Sequence, residues 1–195
     1  MKQLALALLV TLPAVAALGD IDKNKTMGNP SAPVVVEVFS DFECPACKRF
    51  HDESLPLLMR DYVMTGKVYL VYRDYPLQMH KYSRQAASYA IAAAQFGFYQ
   101  PVADALFHDQ TTWSASGKVW DTVAKVLTSE QQRKVQATAD GPGVLNELMT
   151  DMNAAAAERV DRTPTIVVSR GEKQYPLPGG GNYTFLKQLI DDLAK

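Results

Sequence analysis

The sequence predicts an α/β protein in which one sheet domain is interrupted by a helical insertion. Two observations predict this fold class. β-Branched runs such as VVVEVFS (residues 34–40) occur near both ends of the chain, as is typical of buried strands. Between residues 79 and 160, Ala-rich and amphipathic stretches follow one another with no strand-like run between them. With 195 residues, 47% of them hydrophobic, the chain can bury one sizeable core.

The chain begins with a short apolar segment that has the pattern of a signal peptide. Lys2 precedes an apolar run from Leu4 to Ala17, and small residues suited to a signal peptidase follow. The run is too short to span a bilayer. We therefore predict a signal peptide over residues 1–19 and an exported, soluble protein in the periplasm or another extracytoplasmic compartment. An uncleaved N-terminal helix is the alternative.

The first part of the sheet domain, residues 20–79, is predicted to form a βαβ unit. A polar lead-in over residues 20–33 precedes the VVVEVFS strand. A helix then runs to Gly66, and Pro56 is expected to kink or split it. Residues 67–76, rich in Val and Tyr, give a second strand. Strand, helix and strand at this spacing pair their strands in parallel.

The rest of the chain divides into a helical insertion, residues 80–159, and the second part of the sheet domain, residues 160–195. The latter begins with two strands joined by a turn at Arg170-Gly171 and ends in an amphipathic helix with Asn182 as its N-cap. The helices predicted in the insertion are 81–96, 101–109, 118–127, 129–139 and 144–159.

The charge balance and the glycine motif give no indication of nucleic-acid, anionic-membrane or phosphate-loop nucleotide binding. The chain has 20 Lys and Arg against 21 Asp and Glu, a net charge of -1, so nothing in the balance indicates nucleic acid or an anionic membrane as a partner. The glycines at 179–181 are not followed by the Gly-Lys-Ser/Thr of a phosphate loop and are predicted to form a flexible turn. We predict no cofactor and no bound metal.

Both cysteines of the chain lie in one tetrapeptide, Cys44-Pro45-Ala46-Cys47, where the first strand gives way to the helix. Pro45 suits a first helical position. The unpaired N–H groups and positive dipole end of the helix stabilise a thiolate at Cys44, while Cys47 lies one turn inside. In thiol–disulfide exchange, a thiolate attacks a disulfide and a neighbouring thiol then displaces the mixed disulfide. The spacing therefore predicts Cys44 as the nucleophile and Cys47 as the resolving thiol, with a small Cys44-Cys47 disulfide ring.

Two other interpretations of the cysteine pair remain open. The C-x-x-C spacing is also half of many zinc sites. In a copper- or zinc-binding module, His51 would be a third ligand and His80 or His108 the fourth. The second alternative is a redox-inactive scaffold with the disulfide as a local staple, which is disfavoured because so small a ring gains little loop-closure entropy.

Four segments of the chain, in order, resemble the DsbA-like branch of the thioredoxin superfamily, which consists of exported thiol–disulfide oxidoreductases. The segments are APVVVEVFSDFECPACKRFH, YRDYPLQMHKYSRQAASYA, VDRTPTIVV and the final glycine with the amphipathic helix after it. The resemblance implies a thioredoxin fold with an inserted helical domain. It also implies a cis-proline loop at Thr163-Pro164 that faces Cys44 and leaves neighbouring backbone free to pair with an extended substrate.

Several acids lie close to the cysteines in sequence. Glu37 is the one acid within the first strand; burial would raise its pKa, which makes it a candidate proton relay for the Cys47 thiol. The family often has an acid at this place. A carboxylate that reaches solvent is the alternative. Asp41 and Glu43 are predicted to be solvated surface charges.

The sequence departs from the family pattern in two places. Ala46 stands where the strongly oxidising members carry His, and alanine offers no hydrogen-bond donor to the Cys44 thiolate. We therefore expect a Cys44 pKa below the value of about 8.5 of a free cysteine but above the extreme of about 3.5 for DsbA. Asp161 and Arg162 bring charge to the place before Thr163-Pro164 where relatives often have glycine, and are expected to form an exposed loop pair. The alternative is that Arg162 pairs with Asp41 or Glu43 or contacts a partner.

The leading functional prediction is an exported thiol:disulfide oxidoreductase that donates its disulfide to folding exported proteins and is recharged by a membrane redox partner. If the same residues catalysed the exchange in the reverse direction, the protein would be a disulfide reductase. An isomerase is disfavoured because residues 20–33 are too few for an N-terminal dimerisation domain. We therefore expect a monomer.

Overall fold

A five-stranded mixed sheet organises the protein. The computed structural model describes residues 23–195, so the predicted signal peptide over residues 1–19 lies outside the described residues. The strands are β1 (Thr26–Gly28), β2 (Val34–Ser40), β3 (Val68–Asp74), β4 (Thr165–Arg170) and β5 (Lys173–Pro178). They lie in the order β1-β3-β2-β4-β5.

The central strands pair as the sequence predicts, and the sheet has one additional strand at its edge. β2 and β3 are parallel, as the βαβ spacing predicts, and β4 and β5 form the predicted hairpin. The lead-in, predicted to be extended only, contributes β1, which pairs antiparallel with β3. Three residues ending in Gly28 give too short a pattern to identify a strand, and only pairing with the sheet edge makes them one.

The helix after β2, called α1, runs over residues 45–63 and alternates between two kinds of turn. The α turns are Pro45–Arg49 and Leu55–Leu58, and the wider π turns are Phe50–Ser54 and Met59–Val63. Pro56 lies in the second α turn, directly after a π turn. A local widening of the hydrogen-bond ladder accommodates a residue that has no N–H, so the helix continues past the proline.

Six helices lie between β3 and β4, where the sequence predicts five. They are α2 (Ser83–Ala94), α3 (Tyr99–His108), α4 (Gln110–Ser116), α5 (Val119–Ala124), α6 (Ser129–Thr138) and α7 (Pro142–Ala157), and α8 (Tyr183–Leu193) follows β5. The additional helix is α4, which one residue separates from α3 and which buries Trp113 completely. Within residues 23–195, no helix is both long and apolar enough to cross a membrane.

The two faces of the sheet pack against different helices. Val38 belongs to the main core, which also contains buried residues of α1 and α8. Phe39, the next residue, packs against Ala155 of α7 in a second cluster. This alternation follows from the period of two in a β-strand, and it decides which side chains of β2 lie near α1.

A buried ionic cluster connects the segment before β1 to the sheet and to α7. Lys25 has no exposed surface, and its Nζ lies 3.0 Å from Asp74 and 3.2 Å from Glu147 and contacts Asp151. Burial alone would lower the pKa of Lys25, but the three carboxylates raise it above the usual value. Burial raises the pKa of Asp74 to about 6, against the opposing effect of Lys25. No local sequence pattern predicts this cluster.

Candidate active site

The cysteine pair lies at the C-terminal end of β2, where α1 begins. Cys44 is the extended N-cap residue and Pro45 the first helical residue, as the spacing predicts. Cys44 is 7% exposed and Cys47 1%, and both are free thiols. The Sγ of Cys47 accepts a hydrogen bond from the backbone N–H of Asp41 at 3.4 Å. The first sulfur therefore lies nearer to solvent than the second.

The two thiols have opposite electrostatic environments. The pKa of Cys44 is lowered to about 5, chiefly by a hydrogen bond from the Cys47 thiol, and burial opposes this effect. Thr163 and the backbone N–H groups of Ala46 and Cys47 at the start of α1 lower it further. Burial raises the pKa of Cys47 well above that of a free thiol, and the neighbouring Cys44 adds to the effect. The pair can therefore hold one thiolate and one thiol at neutral pH.

The loop before β4 faces Cys44. The Thr163-Pro164 peptide bond is cis, as predicted. When protonated, the Cys44 thiol can donate to the Thr163 carbonyl oxygen, which lies 3.5 Å from Sγ. The fold thus brings together two sequence motifs that are more than a hundred residues apart. The Thr163 backbone therefore lies beside the Cys44 sulfur.

Asp41 is buried, which corrects the prediction that it is a solvated charge. It is 1% exposed, and its carboxylate accepts hydrogen bonds from the backbone N–H groups of Glu43 and Leu77, each at 2.7 Å. The hydroxyl of Ser83 donates at 2.6 Å, and Nδ1 of His80 lies at 2.8 Å. Its partners come from the turn after β2, the loop after β3 and α2, so the carboxylate ties the active-site turn to the insertion.

Gln110 also supports the active-site turn, and sequence reasoning missed it. Its Nε2 donates to the carbonyl oxygens of Phe42 at 2.7 Å and Cys44 at 3.0 Å. Gln110 is 3% exposed and is the first residue of α4. A glutamine in a polar stretch gives no sequence signal for this contact, because the contact depends on how the insertion packs against the sheet domain.

Glu37 does not lie beside Cys47, which argues against the predicted proton relay. β2 turns Glu37 to the same face as Phe39, and its carboxylate lies 2.8–2.9 Å from the guanidinium of Arg73. The side chains of Val38 and Ser40 instead line a small cavity next to Cys47. Because side chains alternate between the two faces of a strand, Glu37 lies on the face opposite to Val38 and Ser40.

The remaining charged residues near the motif lie on the surface or pair locally. Arg162 pairs with Asp161, and both are exposed, as predicted. His51 contacts Asp104 at 2.9 Å, His80 is held by Asp41, and His108 is 86% exposed. Among residues 23–195, no group of three or more His, Cys, Asp or Glu side chains is arranged to hold a metal ion.

Comparisons with known proteins agree with this fold. A family model described as Thioredoxin matches residues 21–190, and the chain therefore belongs to the thioredoxin family. It is 25% identical over 166 residues to disulfide bond formation protein D of Bacillus subtilis, a match that covers 80% of this chain and 72% of that protein. The crystal structure of α-DsbA1 of Wolbachia pipientis has the same fold, with a TM-score of 0.71, 18% identity, and coverage of 87% of this chain and 90% of that one. Within the family, the chain is a DsbA-like thiol:disulfide oxidoreductase.

A further relative is much longer than this chain. The Na(+)/H(+) antiporter NhaA 3 of Salinispora tropica is 32% identical over 151 residues, which is 77% of this chain. The chain spans only 22% of the length of that antiporter. The similarity therefore concerns one part of a larger protein.

The pH titration of the reduced protein should show the Cys44 thiolate directly. We expect thiolate absorbance to appear with a midpoint of about 5. Because the folded pKa is lowered, the thiolate stabilises the reduced fold fully above the pKa of an unfolded cysteine, about 8.5. That stabilisation is lost as the pH falls through about 5. Urea unfolding of the reduced protein across this range measures the loss, and a midpoint above about 8 would contradict the assignment.

Two variants test the main cause of this shift. In Cys47→Ala the thiol that donates to Cys44 is gone, so the midpoint should rise. In Cys47→Ser a hydroxyl donor remains, and the midpoint should stay nearer to that of the parent protein. Equal midpoints in the two variants would show that the helix end and Thr163, rather than Cys47, stabilise the thiolate.

The glycine turn before α8 offers a matched pair of substitutions next to the cis-proline loop. Gly179 and Gly180 have nearly equal φ angles, +77° and +78°, so alanine at either position has the same backbone cost. A Cβ on Gly180 would lie 3.1 Å from Pro164 and 3.5 Å from Phe50, whereas a Cβ on Gly179 would contact nothing within 4 Å. We expect Gly180→Ala to lower the free energy of unfolding by about 1 kcal/mol more than Gly179→Ala, as measured by urea unfolding. Equal losses would show that the turn shifts without disturbing Pro164.

Proposed function

We propose that this chain is an exported disulfide donor that passes the Cys44-Cys47 disulfide to folding exported proteins. The observation that carries the proposal is the position of Cys44 at the N-terminus of α1, beside Cys47 and the Thr163 backbone, where its pKa is lowered to about 5. A thiolate stabilised in the folded protein favours the reduced form, so the disulfide form readily oxidises the thiols of other proteins. The similarity to disulfide bond formation protein D supports the same role.

The exchange balances through the two sulfurs. A client thiolate attacks Cys44 Sγ, the Cys44-Cys47 bond breaks, and Cys47 leaves as a thiolate that takes up a proton. A second client thiolate then attacks the client sulfur of the mixed disulfide, and Cys44 leaves with the electron pair. A low pKa makes Cys44 the better leaving group. The client gains a disulfide, and the protein retains two electrons as one thiolate and one thiol.

The cis-proline loop is proposed to hold the client during this exchange. Thr163 and Pro164 face Cys44, and proline has no N–H to use within the sheet. An extended client segment would pair with the backbone beside this loop and present its sulfur to Cys44. Glu37 is not included in the mechanism, because Arg73 holds its carboxylate on the other face of the sheet.

A membrane redox partner is proposed to return the pair to the disulfide form. Each turnover leaves the two thiols reduced, so continued donation requires an acceptor for two electrons. We propose that the protein acts as a monomer in the periplasm or another extracytoplasmic compartment, where disulfides persist.

The equilibrium reduction potential of the Cys44-Cys47 pair tests the direction of exchange. The protein is equilibrated in glutathione buffers, and mass spectrometry measures the oxidised fraction. We expect a value above about -180 mV, high enough to oxidise clients in most oxidising compartments. A value at or below about -250 mV would overturn the donor role and make the protein a reductase that receives electrons from its partner. Cys44→Ala, which cannot form the pair, is the control.

A further inference from the structure

A small cavity lies directly beside the resolving thiol. It has a volume of about 20 Å³ and lies between β2, β3, α1 and α3, which is enough room for one water molecule. Apolar side chains form much of its wall, including Val38 and Phe107. Its polar lining includes Ser40, Cys47, His51 and Gln100. A buried water needs two to four polar partners, and these side chains supply them.

Gln100 indicates what the cavity holds. Its Nε2 donates to Asp104 at 2.7 Å, while its Oε1 is buried and has no hydrogen-bond partner in the protein. A buried carbonyl oxygen without a partner is unfavourable. A water in the cavity would donate to this oxygen and leave its own lone pairs free to accept from Cys47.

The cavity also adjoins a route to the surface. A more open pocket of about 180 Å³ lies next to it, and the two share the lining residues His51, Leu55, Tyr72 and Gln100. Gln100 is therefore one of four residues that border both the water-sized cavity and the outer pocket. A proton that leaves Cys47 has a short path to solvent past these side chains.

The resolving thiol needs a proton acceptor, and no carboxylate is among the residues that line the cavity beside it. Burial holds Cys47 in the protonated form, and a thiol must lose its proton to attack a mixed disulfide. On the face of β2 that looks toward Cys47, the side chains are Val38 and Ser40. Glu37 lies on the other face with Arg73.

We propose that the cavity binds one water molecule that accepts the proton of the Cys47 thiol and passes it to the outer pocket, with Ser40 and Gln100 as positioning residues. The inference rests on the proposed thiol–disulfide exchange. In the resolving step, the thiol proton moves to the water and the Cys47 sulfur forms a bond to Cys44 Sγ. The bond between Cys44 and the partner sulfur breaks, and the partner sulfur leaves with the electron pair and takes a proton from solvent.

Rapid-mixing kinetics with the small aromatic disulfide 5,5′-dithiobis(2-nitrobenzoic acid) separate the two thiols. Reduced protein should release nitrothiobenzoate in two phases, the first from attack by Cys44 and the second from displacement by Cys47. We expect Gln100→Leu to slow the second phase by about tenfold or more and to leave the first unchanged. Gln100→Glu keeps an acceptor oxygen and should retain the second-phase rate. The control is Gln136→Leu, a change on the exposed face of α6, which should alter neither phase.

A second variant tests the water itself. Ala103 lines the cavity, and Ala103→Val would fill it while leaving Gln100 and Ser40 in place, so it should slow the second phase alone. An unchanged second phase in both Gln100→Leu and Ala103→Val, or an equal slowing of both phases, would overturn the proposal. A high-resolution crystal structure of the unaltered protein gives an independent readout, since a cavity without water density would also overturn it. A reduction potential below about -250 mV would remove the donor role and leave these kinetics unaffected.

Discussion

Cys44→Ala is expected to abolish disulfide exchange, lowering the rate by at least about a thousandfold. Cys44 is the more exposed sulfur, and its thiolate is stabilised at the start of α1, whereas Cys47 is buried and protonated. The sequence contains two cysteines, so the only other thiol is the buried Cys47, which cannot replace Cys44. Oxidative refolding of a reduced, disulfide-containing client protein measures the rate.

Cys47→Ala is expected to have a different effect. Cys44 remains and forms mixed disulfides with clients, but no neighbouring thiol resolves them. These complexes should accumulate in an extract of exported proteins and disappear on reduction. Cys44→Ala is the matched control and should trap none. Trapping by Cys44→Ala rather than by Cys47→Ala would reverse the assigned roles.

Lys25→Met is expected to lower the free energy of unfolding by about 3–5 kcal/mol. Methionine has a similar length, but the change removes the cation that Lys25 places among Asp74, Glu147 and Asp151. Asp151 keeps its ion pair with Arg73, so the lost counter-charge is felt most at Asp74. Buried carboxylates without a counter-charge are strongly unfavourable. Urea unfolding of the oxidised protein gives the loss as a lower midpoint with an unchanged slope.

Lys134→Met provides the control for this prediction. Lys134 forms an i,i+4 pair with Glu130 on α6, and both side chains are exposed. Exposed helical pairs contribute roughly 0.3–0.5 kcal/mol, so the change should scarcely alter the midpoint. Similar losses in the two variants would show that Lys25 is not important to the fold, despite its burial.

The sequence by itself determined the fold class and the place of the chemistry. Both depend on local patterns: the periodicity of β2 and β3, the proline that opens α1, and the two cysteines one helical turn apart. Such patterns act over a few residues, so they can be read without knowing what packs against them. The cis-proline loop at Thr163-Pro164 was predicted by resemblance, since nothing local fixes the isomer.

The tertiary structure decided which of the acids are buried and what they contact. Asp41 and Glu37 lie four residues apart, yet Asp41 accepts three hydrogen bonds and contacts His80 under the active-site turn, while Glu37 pairs with Arg73 on the far face. Lys25 lay in a stretch predicted to be a polar lead-in and is fully buried. Each outcome depends on partners from distant parts of the chain, because the cost of burying a charge is offset only by the groups that the whole fold brings to it.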